Sequence, residues 1–229
     1  MISIIVPVLN EAEALPDQLE HLRAIAPPED RDAEVLIVDG GSTDGTREML
    51  DECDHVRVID SQRGRGMQIQ TGAEAALGDI LLVVHADARL PRRALERIEK
   101  AVGAGARWGW FDIRYDADST ALRVIPHYLN AHAWLLGEPT GENAMWATRD
   151  AWEDAGGCPR IPLMEDLELA RRLRRTGRGA RLGGPVVCSA RRYEAWTAVG
   201  MSLRCMMLWA LFHLGASPET LQRFYPEVR

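Results

Sequence analysis

Cysteines are few in this sequence, and they lie far apart. The 229 residues contain four, at Cys53, Cys158, Cys188 and Cys205, and no two of them form a Cys-x-x-Cys pair. This spacing argues against a zinc site and against a disulfide framework. We therefore expect separate reduced thiols, as in a cytosolic protein.

Long apolar runs are absent as well. No uninterrupted apolar run approaches the ~20 residues that a helix needs to span a bilayer. The N-terminus leads directly into residues 2–7, ISIIVP, without the basic region or the small-residue cleavage site of a signal peptide. These features predict a cytoplasmic protein without a transmembrane segment.

Positive charge is in deficit. Lys and Arg number 27 against 34 Asp and Glu, which gives a formal net charge of -7 and an isoelectric point near 5.4. This balance argues against a nucleic-acid backbone as the main partner. An anionic phosphate would have to be bound locally, through a metal ion, a helix N-terminus or a few arginines.

The first half of the chain alternates short apolar runs with amphipathic stretches. Strands are predicted over residues 2–6, 34–38, 56–59 and 80–84, with helices between them, the first over residues 12–25. Such alternation predicts an α/β protein with a mostly parallel sheet, which binds ligands beyond the C-terminal ends of its strands. Polar residues gather at those predicted ends: Asn10, Glu11, Asp39, His85 and Asp87.

The second half is less regular, and we see neither an interior linker nor a repeat. Strands are predicted over residues 108–115, 144–148 and 186–188, and helices over 120–136, 165–176 and 198–214. The last helix is apolar almost all round, which predicts burial against the core or in a homodimer interface. Peripheral contact with the inner face of a membrane is the alternative.

Several motifs resemble a known family. The segments IVPVLNE (residues 5–11), VDGGSTDGT (38–46) and ED (165–166) resemble family 2 glycosyltransferases of the GT-A fold. The resemblance implies one glycosyltransferase domain over residues 1–229. Residues 1–102 would form its nucleotide-binding half, and residues 103–229 its acceptor and catalytic half.

Further motifs resemble one bacterial subfamily. That subfamily is linked by gene context to radical-SAM and selenium-domain proteins, and in some versions to arsenosugar biosynthesis. The motifs are GRGMQ (residues 64–68), HAD (85–87), PLMED (162–166) and SARRYE (189–194).

The resemblance implies a nucleotide-sugar donor, with UDP as the default nucleotide. The segment HAD stands where the family carries Asp-x-Asp, so Asp87 would bind Mg²⁺ or Mn²⁺, ions that prefer oxygen ligands. His85 replaces the first aspartate and either contacts the nucleotide or packs at the strand end. Asp39 would contact the base or ribose, or else cap the next helix. The nucleotide-binding residues would be Pro7, Asn10, Glu11, Asp39, Arg65, His85 and Asp87.

The same resemblance implies that Asp166 is the general base of an inverting single displacement, with Glu165 in an orienting role. A carboxylate in this position would otherwise complement the dipole of the helix that it begins. The donor sugar or the acceptor would meet Glu142, Asn143, Arg191 and Arg192. For the two arginines, a solvated basic turn is the alternative to closure over the pyrophosphate.

Two other functions stay open at this point. A sugar-phosphate nucleotidyltransferase would also use a nucleotide, a metal ion and an acidic site, but it usually carries a Gly-rich phosphate loop near the N-terminus. A degenerate nucleotide-sugar-binding protein without activity would fit the loss of an aspartate at His85. The retained Asp87 and Asp166 favour an enzyme.

Overall fold

The computed structural model describes residues 1–27, 32–117, 119–191 and 198–225. Its strands are β1 Ile2–Val8, β2 Ala33–Asp39, β3 Arg57–Asp60, β4 Ile80–Val83, β5 Ala88–Arg89, β6 Trp108–Tyr115, β7 Trp146–Thr148 and β8 Gly179–Cys188. Its helices are α1 Leu15–Ile25, α2 Thr46–Asp51, α3 Arg65–Ala75, α4 Ala94–Gly103, α5 Thr120–Leu136, α6 Arg149–Asp154, α7 Glu165–Thr176, α8 Ala198–His213 and α9 Pro218–Gln222. A 3-10 turn covers Gly141–Asn143.

All of these strands belong to one eight-stranded sheet, in the order β3-β2-β1-β4-β7-β6-β8-β5. The strands β1 to β4 run parallel, as their alternation with helices predicted. The short strand β7 is antiparallel to both β4 and β6, and β8 is parallel to β6. The sheet therefore continues through both halves of the chain, and the short strands β7 and β5 run opposite to its other strands.

Helices cover both faces of this sheet. Alternate side chains of β1 enter different apolar clusters: Ile4 and Val6 join one, and Ile5 joins the other. Leu22 of α1 packs into the first cluster and Ile69 of α3 into the second. This alternation follows from the two-residue period of a strand that is buried on both faces.

Most predicted elements are present, with some different limits. The helix predicted from residue 12 begins at Leu15, with Pro16 in its first turn, where a missing N–H is tolerated. The strand predicted only over 186–188 extends back to Gly179 because it pairs with β6, with a bulge between Phe111 and Ile113. Pairing overrides the weak strand propensity of its glycines and proline.

The helix α8 is buried on one side and exposed on the other. Met201 and Leu208 are buried, whereas Leu203, Met207 and Leu211 are exposed. None of the helices in the described part of the chain combines the length and the apolarity that crossing a membrane requires.

Candidate functional site

A polar pocket lies at the C-terminal ends of the central strands, and we call it the strand-end pocket. It combines residues from β1 and the loop after it, the start of α3, the loop after β4 and the segment after β8. Six of its seven lining residues had been predicted from the sequence as site residues; the full set is Pro7, Glu11, Arg65, His85, Ala86, Asp87 and Arg191.

The two loops beside this pocket hold each other through Asn10 and Asp39. The backbone N–H of Asn10 donates to Ser42 Oγ at 2.9 Å, and Asn10 Oδ1 accepts from the N–H of Thr43 at 2.8 Å. Asn10 has a φ of 56°, a left-handed conformation that Asn tolerates well. Asp39 accepts from Ser42 Oγ at 2.6 Å and is almost fully buried. Both residues thus shape the loops behind the pocket.

Gln68 supports the same strand ends, and it was not singled out from the sequence. Its side-chain Nε2 donates to the carbonyl oxygens of Val8 at 2.7 Å and Val38 at 2.9 Å. A Cβ at Gly40 would lie 2.9 Å from Gln68 Cδ, so the glycine allows this approach. A glutamine on the sheet-facing side of α3, next to Ile69, is the signal that could have identified it.

Arg191 connects the second half of the chain to the strand-end pocket. Its Nη2 donates to Glu11 Oε2 at 2.9 Å, across 180 sequence positions. The hydrogen bond to Glu11 raises the pKa of Arg191 against the effect of burial, and the nearby charge of Asp87 adds to it. The half-buried Asp87 carboxylate makes no side-chain hydrogen bond or ion pair with any residue that the structure describes. It therefore remains available to a ligand beside a cation.

A buried carboxylate forms an ion pair with Arg65, which lines the pocket. Arg65 Nε donates to the Glu165 carboxylate, and the Glu165 side chain is only 2% exposed. Burial by itself would lower the pKa of Arg65, but the charges of Glu165 and Asp166 raise it. Burial raises the pKa of Glu165, and Arg65 opposes that rise. The Glu165 carboxylate thus holds the Arg65 side chain in place.

Asp166 is held in one orientation at the start of α7. Its Oδ2 accepts from the N–H of Gly141 at 2.8 Å, and its Oδ1 accepts from the N–H of Leu167 at 2.8 Å. A Cβ at Gly141 would lie 2.5 Å from His85 Nε2 and 3.6 Å from Asp166 Oδ2. The glycine therefore lets His85 and Asp166 approach the same point of the backbone.

Asp166 opens onto a second pocket, which we call the helix-walled pocket. Arg65 and His85 line this pocket as well as the strand-end pocket, so the two are neighbours. Its outer walls come from α5, α8, the segment before α7 and the turn after α9, and most of these residues are apolar. The lining residues are Arg65, His85, Leu129, Thr140, Gly141, Glu142, Leu163, Met164, Asp166, Cys205, Leu208, Trp209 and Tyr225.

The remaining predicted residues differ in position. Glu142 lines the helix-walled pocket, and its Oε2 accepts from the Tyr115 hydroxyl at 2.6 Å. Asn143 is buried instead: its Nδ2 donates to the Phe111 carbonyl at 2.8 Å, and its Oδ1 accepts from the N–H of Thr140 at 2.9 Å. The structure thus places Asn143 behind the pocket, where it stabilises the 3-10 turn. Arg192 lies outside the described residues.

No group of three or more His, Cys, Asp or Glu residues that could hold a metal ion occurs within the described ranges. Asp87 is the carboxylate that lies at the predicted position, in the strand-end pocket.

The parallel strands carry a polar pocket at their C-terminal ends, and the Asp166 carboxylate lines the pocket beside it. The model of the family described as "Glycosyl transferase family 2" matches residues 3–155, more than half of the chain. The chain belongs to this family. The fold class and the enzyme class predicted from the sequence motifs are thereby confirmed.

Curated relatives match a smaller part of the chain. An undecaprenyl-phosphate 4-deoxy-4-formamido-L-arabinose transferase of Pseudomonas fluorescens is 28% identical over 139 residues, which cover 56% of this chain and 39% of the relative. A transferase of the same name from Pseudomonas paraeruginosa is 30% identical over 112 residues, 46% of this chain and 33% of the relative. The matches thus cover well under half of either relative.

Solved structures share the fold at low sequence identity. S. aureus TarS 1-349 in complex with UDP-GlcNAc has a TM-score of 0.64 and 17% identity, covering 82% of this chain and 58% of that one. Glucosyl-3-phosphoglycerate synthase from Mycobacterium tuberculosis, in complex with Mn²⁺, UDP and phosphoglyceric acid, has a TM-score of 0.59 and 18% identity. It covers 82% of this chain and 70% of its own.

Proposed function

We propose that this protein is an inverting glycosyltransferase that moves a sugar from a nucleoside-diphosphate donor, with UDP the first choice, to an acceptor hydroxyl. The observation that carries the proposal is the pair of adjoining pockets, one containing Asp87 and the other Asp166, with Arg65 and His85 shared between them. A donor in the first pocket would present its sugar toward an acceptor in the second.

The strand-end pocket is the proposed donor site. Arg65 and Arg191 supply positive charge for a diphosphate in a chain whose net charge is negative. Asp39 and Asn10 hold the loops where the base and ribose would lie. This assigns the nucleotide to residues 1–102 and the acceptor to residues 103–229, with Arg191 reaching across from the second half.

The donor set fits a Mg²⁺ or Mn²⁺ ion that has one protein carboxylate, Asp87, and takes further oxygens from a diphosphate. Such an ion, when bound, would stabilise the negative charge of the departing diphosphate. The M. tuberculosis synthase, crystallised with Mn²⁺ and UDP, supports this assignment by its fold.

Asp166 is the proposed general base. Each of its two oxygens accepts one backbone N–H, which orients the carboxylate toward the pocket and leaves lone pairs for a substrate proton. As the acceptor oxygen bonds to the anomeric carbon, the bond from that carbon to the diphosphate breaks and the hydroxyl proton moves to Asp166. One displacement inverts the anomeric configuration.

A phosphate acceptor is the second candidate. The curated relatives are named as undecaprenyl-phosphate transferases, and a phosphate oxygen is already anionic at neutral pH. It would need no general base, so Asp166→Asn separates the two: a large loss of transfer supports the hydroxyl, and near-normal transfer supports the phosphate. The subfamily resemblance, with its link to radical-SAM proteins, stays a prediction.

The test of the donor site is a titration of UDP with and without Mn²⁺, followed by thermal unfolding. We expect Mn²⁺ to strengthen UDP binding in the native chain and to have no such effect in Asp87→Ala. Asp150→Ala is the matched control, because Asp150 is an exposed carboxylate on α6. This helix follows Thr148, which pairs with Ile80 at the N-terminal end of β4, and the pocket lies at the C-terminal end. Unchanged UDP–Mn²⁺ binding by Asp87→Ala would remove Asp87 as the metal ligand.

The rival functions have different products. A nucleotidyltransferase would release pyrophosphate from a nucleoside triphosphate and a sugar phosphate. A degenerate binding protein would bind UDP-sugars and transfer none. A screen of nucleotide-sugars, with mass detection of the released or transferred sugar, and an assay of pyrophosphate release from nucleoside triphosphates and sugar phosphates together separate all three.

A further inference from the structure

The helices α5 and α8 each carry an apolar stripe on their solvent side. Within α5 the exposed positions Val124, Tyr128, Ala131 and Leu135 follow a spacing of four, three and four residues. Leu203, Met207, Ala210 and Leu214 repeat this spacing along α8 and the residue just after it. The spacing keeps each set on one face of its helix.

The inner face of α8 is already used, so its outer stripe is not an undocked core face. Leu208 packs with Leu163, Met164, Leu167 and Leu221 in a buried cluster. These contacts hold the helix against the segment that begins α7.

A buried carboxylate holds the C-terminal end of α8 as well. Glu138 Oε1 accepts from Arg171 Nε at 3.0 Å, and its Oε2 lies 2.9 Å from His213 Nε2. The Arg171 guanidinium in turn lies 4.8 Å from the centre of the Phe212 ring. The exposed residues therefore remain exposed in the docked helix.

The charge of these two helices differs from that of the whole chain. Asp and Glu account for 34 of the 229 residues, yet neither the 17 residues of α5 nor the 16 of α8 include one. Arg123 and Arg204 are the arginines of the two helices, and the chain as a whole has a net charge of -7. Apolar stripes with basic and without acidic residues are complementary to an anionic lipid surface.

We propose that α5 and α8 form a docking surface for an anionic lipid bilayer. A second copy of the chain fits less well, because a two-fold interface would set the same acid-free, arginine-bearing surface against itself. The same helices supply Leu129, Cys205, Leu208 and Trp209 to the helix-walled pocket. If that pocket holds the acceptor, docking brings the acceptor site to the membrane. This consequence rests on the proposed function.

The test is sedimentation of the full chain with vesicles of phosphatidylcholine and with vesicles that also contain phosphatidylglycerol. We expect binding to the mixed vesicles, weaker binding to the neutral ones, and loss of binding at high salt. The double variant Leu203→Gln/Met207→Gln should bind the mixed vesicles more weakly, by roughly tenfold per substituted residue. Met49→Gln/Leu77→Gln is the matched control, since both residues are exposed elsewhere on the surface.

The contribution of positive charge to vesicle binding is tested separately by Arg123→Gln, which should weaken binding to mixed vesicles by a few-fold. Arg23→Gln on α1 is its control. Equal binding to neutral and mixed vesicles would overturn the anionic preference. Absence of native binding, or full binding by the stripe double variant, would overturn the proposal. A concentration-dependent dimer that the double variant abolishes, without vesicle binding, would assign the stripes to a second copy. None of these readouts depends on UDP or transfer, so they fail independently of the proposed function.

Discussion

The strand-end pocket and the helix-walled pocket are neighbours with different construction. The first is polar, and its residues follow strands whose ends meet because the strands are parallel. The second has mostly apolar walls, assembled from helices and turns that are distant in sequence. A sheet topology therefore positions one pocket almost automatically, whereas the other depends on how helices pack around it.

Arg65 and His85 belong to both pockets, and so they define the boundary between them. The comparison predicts that substitutions in the strand-end pocket change donor binding and that substitutions in the helix-walled pocket change transfer. Substitutions at the boundary should change both. The expected effects are ordered below from the largest to the smallest.

Asp166→Asn tests the helix-walled side alone. We expect a fall in kcat on the order of a hundredfold or more, because the general base is lost while the strand-end pocket is intact. UDP binding should stay near its native value. Glu168→Gln is the control, since Glu168 lies in the same turn and pairs with Arg172. Equal losses of UDP affinity and kcat would contradict the separation of the two pockets.

Arg65→Met tests the ion pair that holds Arg65 at the boundary. It leaves the buried Glu165 carboxylate without its cation, and we expect the free energy of unfolding to fall by about 3 kcal/mol at neutral pH. Burial raises the pKa of Glu165, so the loss should shrink as the pH falls and this carboxylate takes up a proton. Urea denaturation at neutral and mildly acidic pH measures both effects.

The control for this variant is Arg172→Met, which removes one partner of a more exposed pair with Glu168 and should cost less than about 1 kcal/mol. Similar losses from the two arginine variants would show that the burial of Glu165 does not matter.

Gly141→Ala tests the close approach of His85 and Asp166. An added Cβ would lie 2.5 Å from His85 Nε2, so we expect a loss of about 1–3 kcal/mol of stability and reduced transfer. At Gly103, the last residue of α4, an added Cβ meets nothing within 4 Å, and Gly103→Ala should be neutral or slightly stabilising. Thermal unfolding measures the stability of the two variants. Equal stability of Gly141→Ala and Gly103→Ala would contradict the close approach of His85 and Asp166 to Gly141.

Glu34→Gln tests the sheet away from both pockets. Burial raises the pKa of Glu34, but hydrogen bonds from Ser3, the backbone N–H of Leu77 and Arg57 outweigh it and hold that pKa below its ordinary value of 4.5. The ionised carboxylate therefore contributes stability at neutral pH that is lost as the pH falls through the lowered pKa. We expect the variant to lose about 1 kcal/mol at neutral pH and less in acid.

UDP binding by folded Glu34→Gln should be unchanged, since the residue lies outside both pockets. Denaturation across pH measures the stability, and a loss that grows in acid would contradict the assigned sign.

The strand-end pocket was the easier one to predict from the sequence. Polar residues directly after buried strands indicate the ligand-binding edge of a parallel sheet. This pattern indicated Asp87, which lines the pocket, and Asp39, which holds the loop behind it. The role of Gln68 in supporting the strand ends was not predicted, because its two acceptors are the carbonyls of Val8 and Val38, 60 and 30 positions away. Similarly, nothing in the local pattern indicates that Asn143 turns inward to the Phe111 carbonyl.

By itself, the sequence determined the alternation of strands and helices, the parallel direction of the first strands and the polar strand ends at which Asp87 lies. These follow from short-range periodicity and from the handedness of the connections. The tertiary structure alone decided that Glu165 pairs with Arg65 while Asp166 meets Gly141, and which face of α8 is left to solvent. Adjacent residues on a helix point in different directions, so their roles depend on what packs against each one.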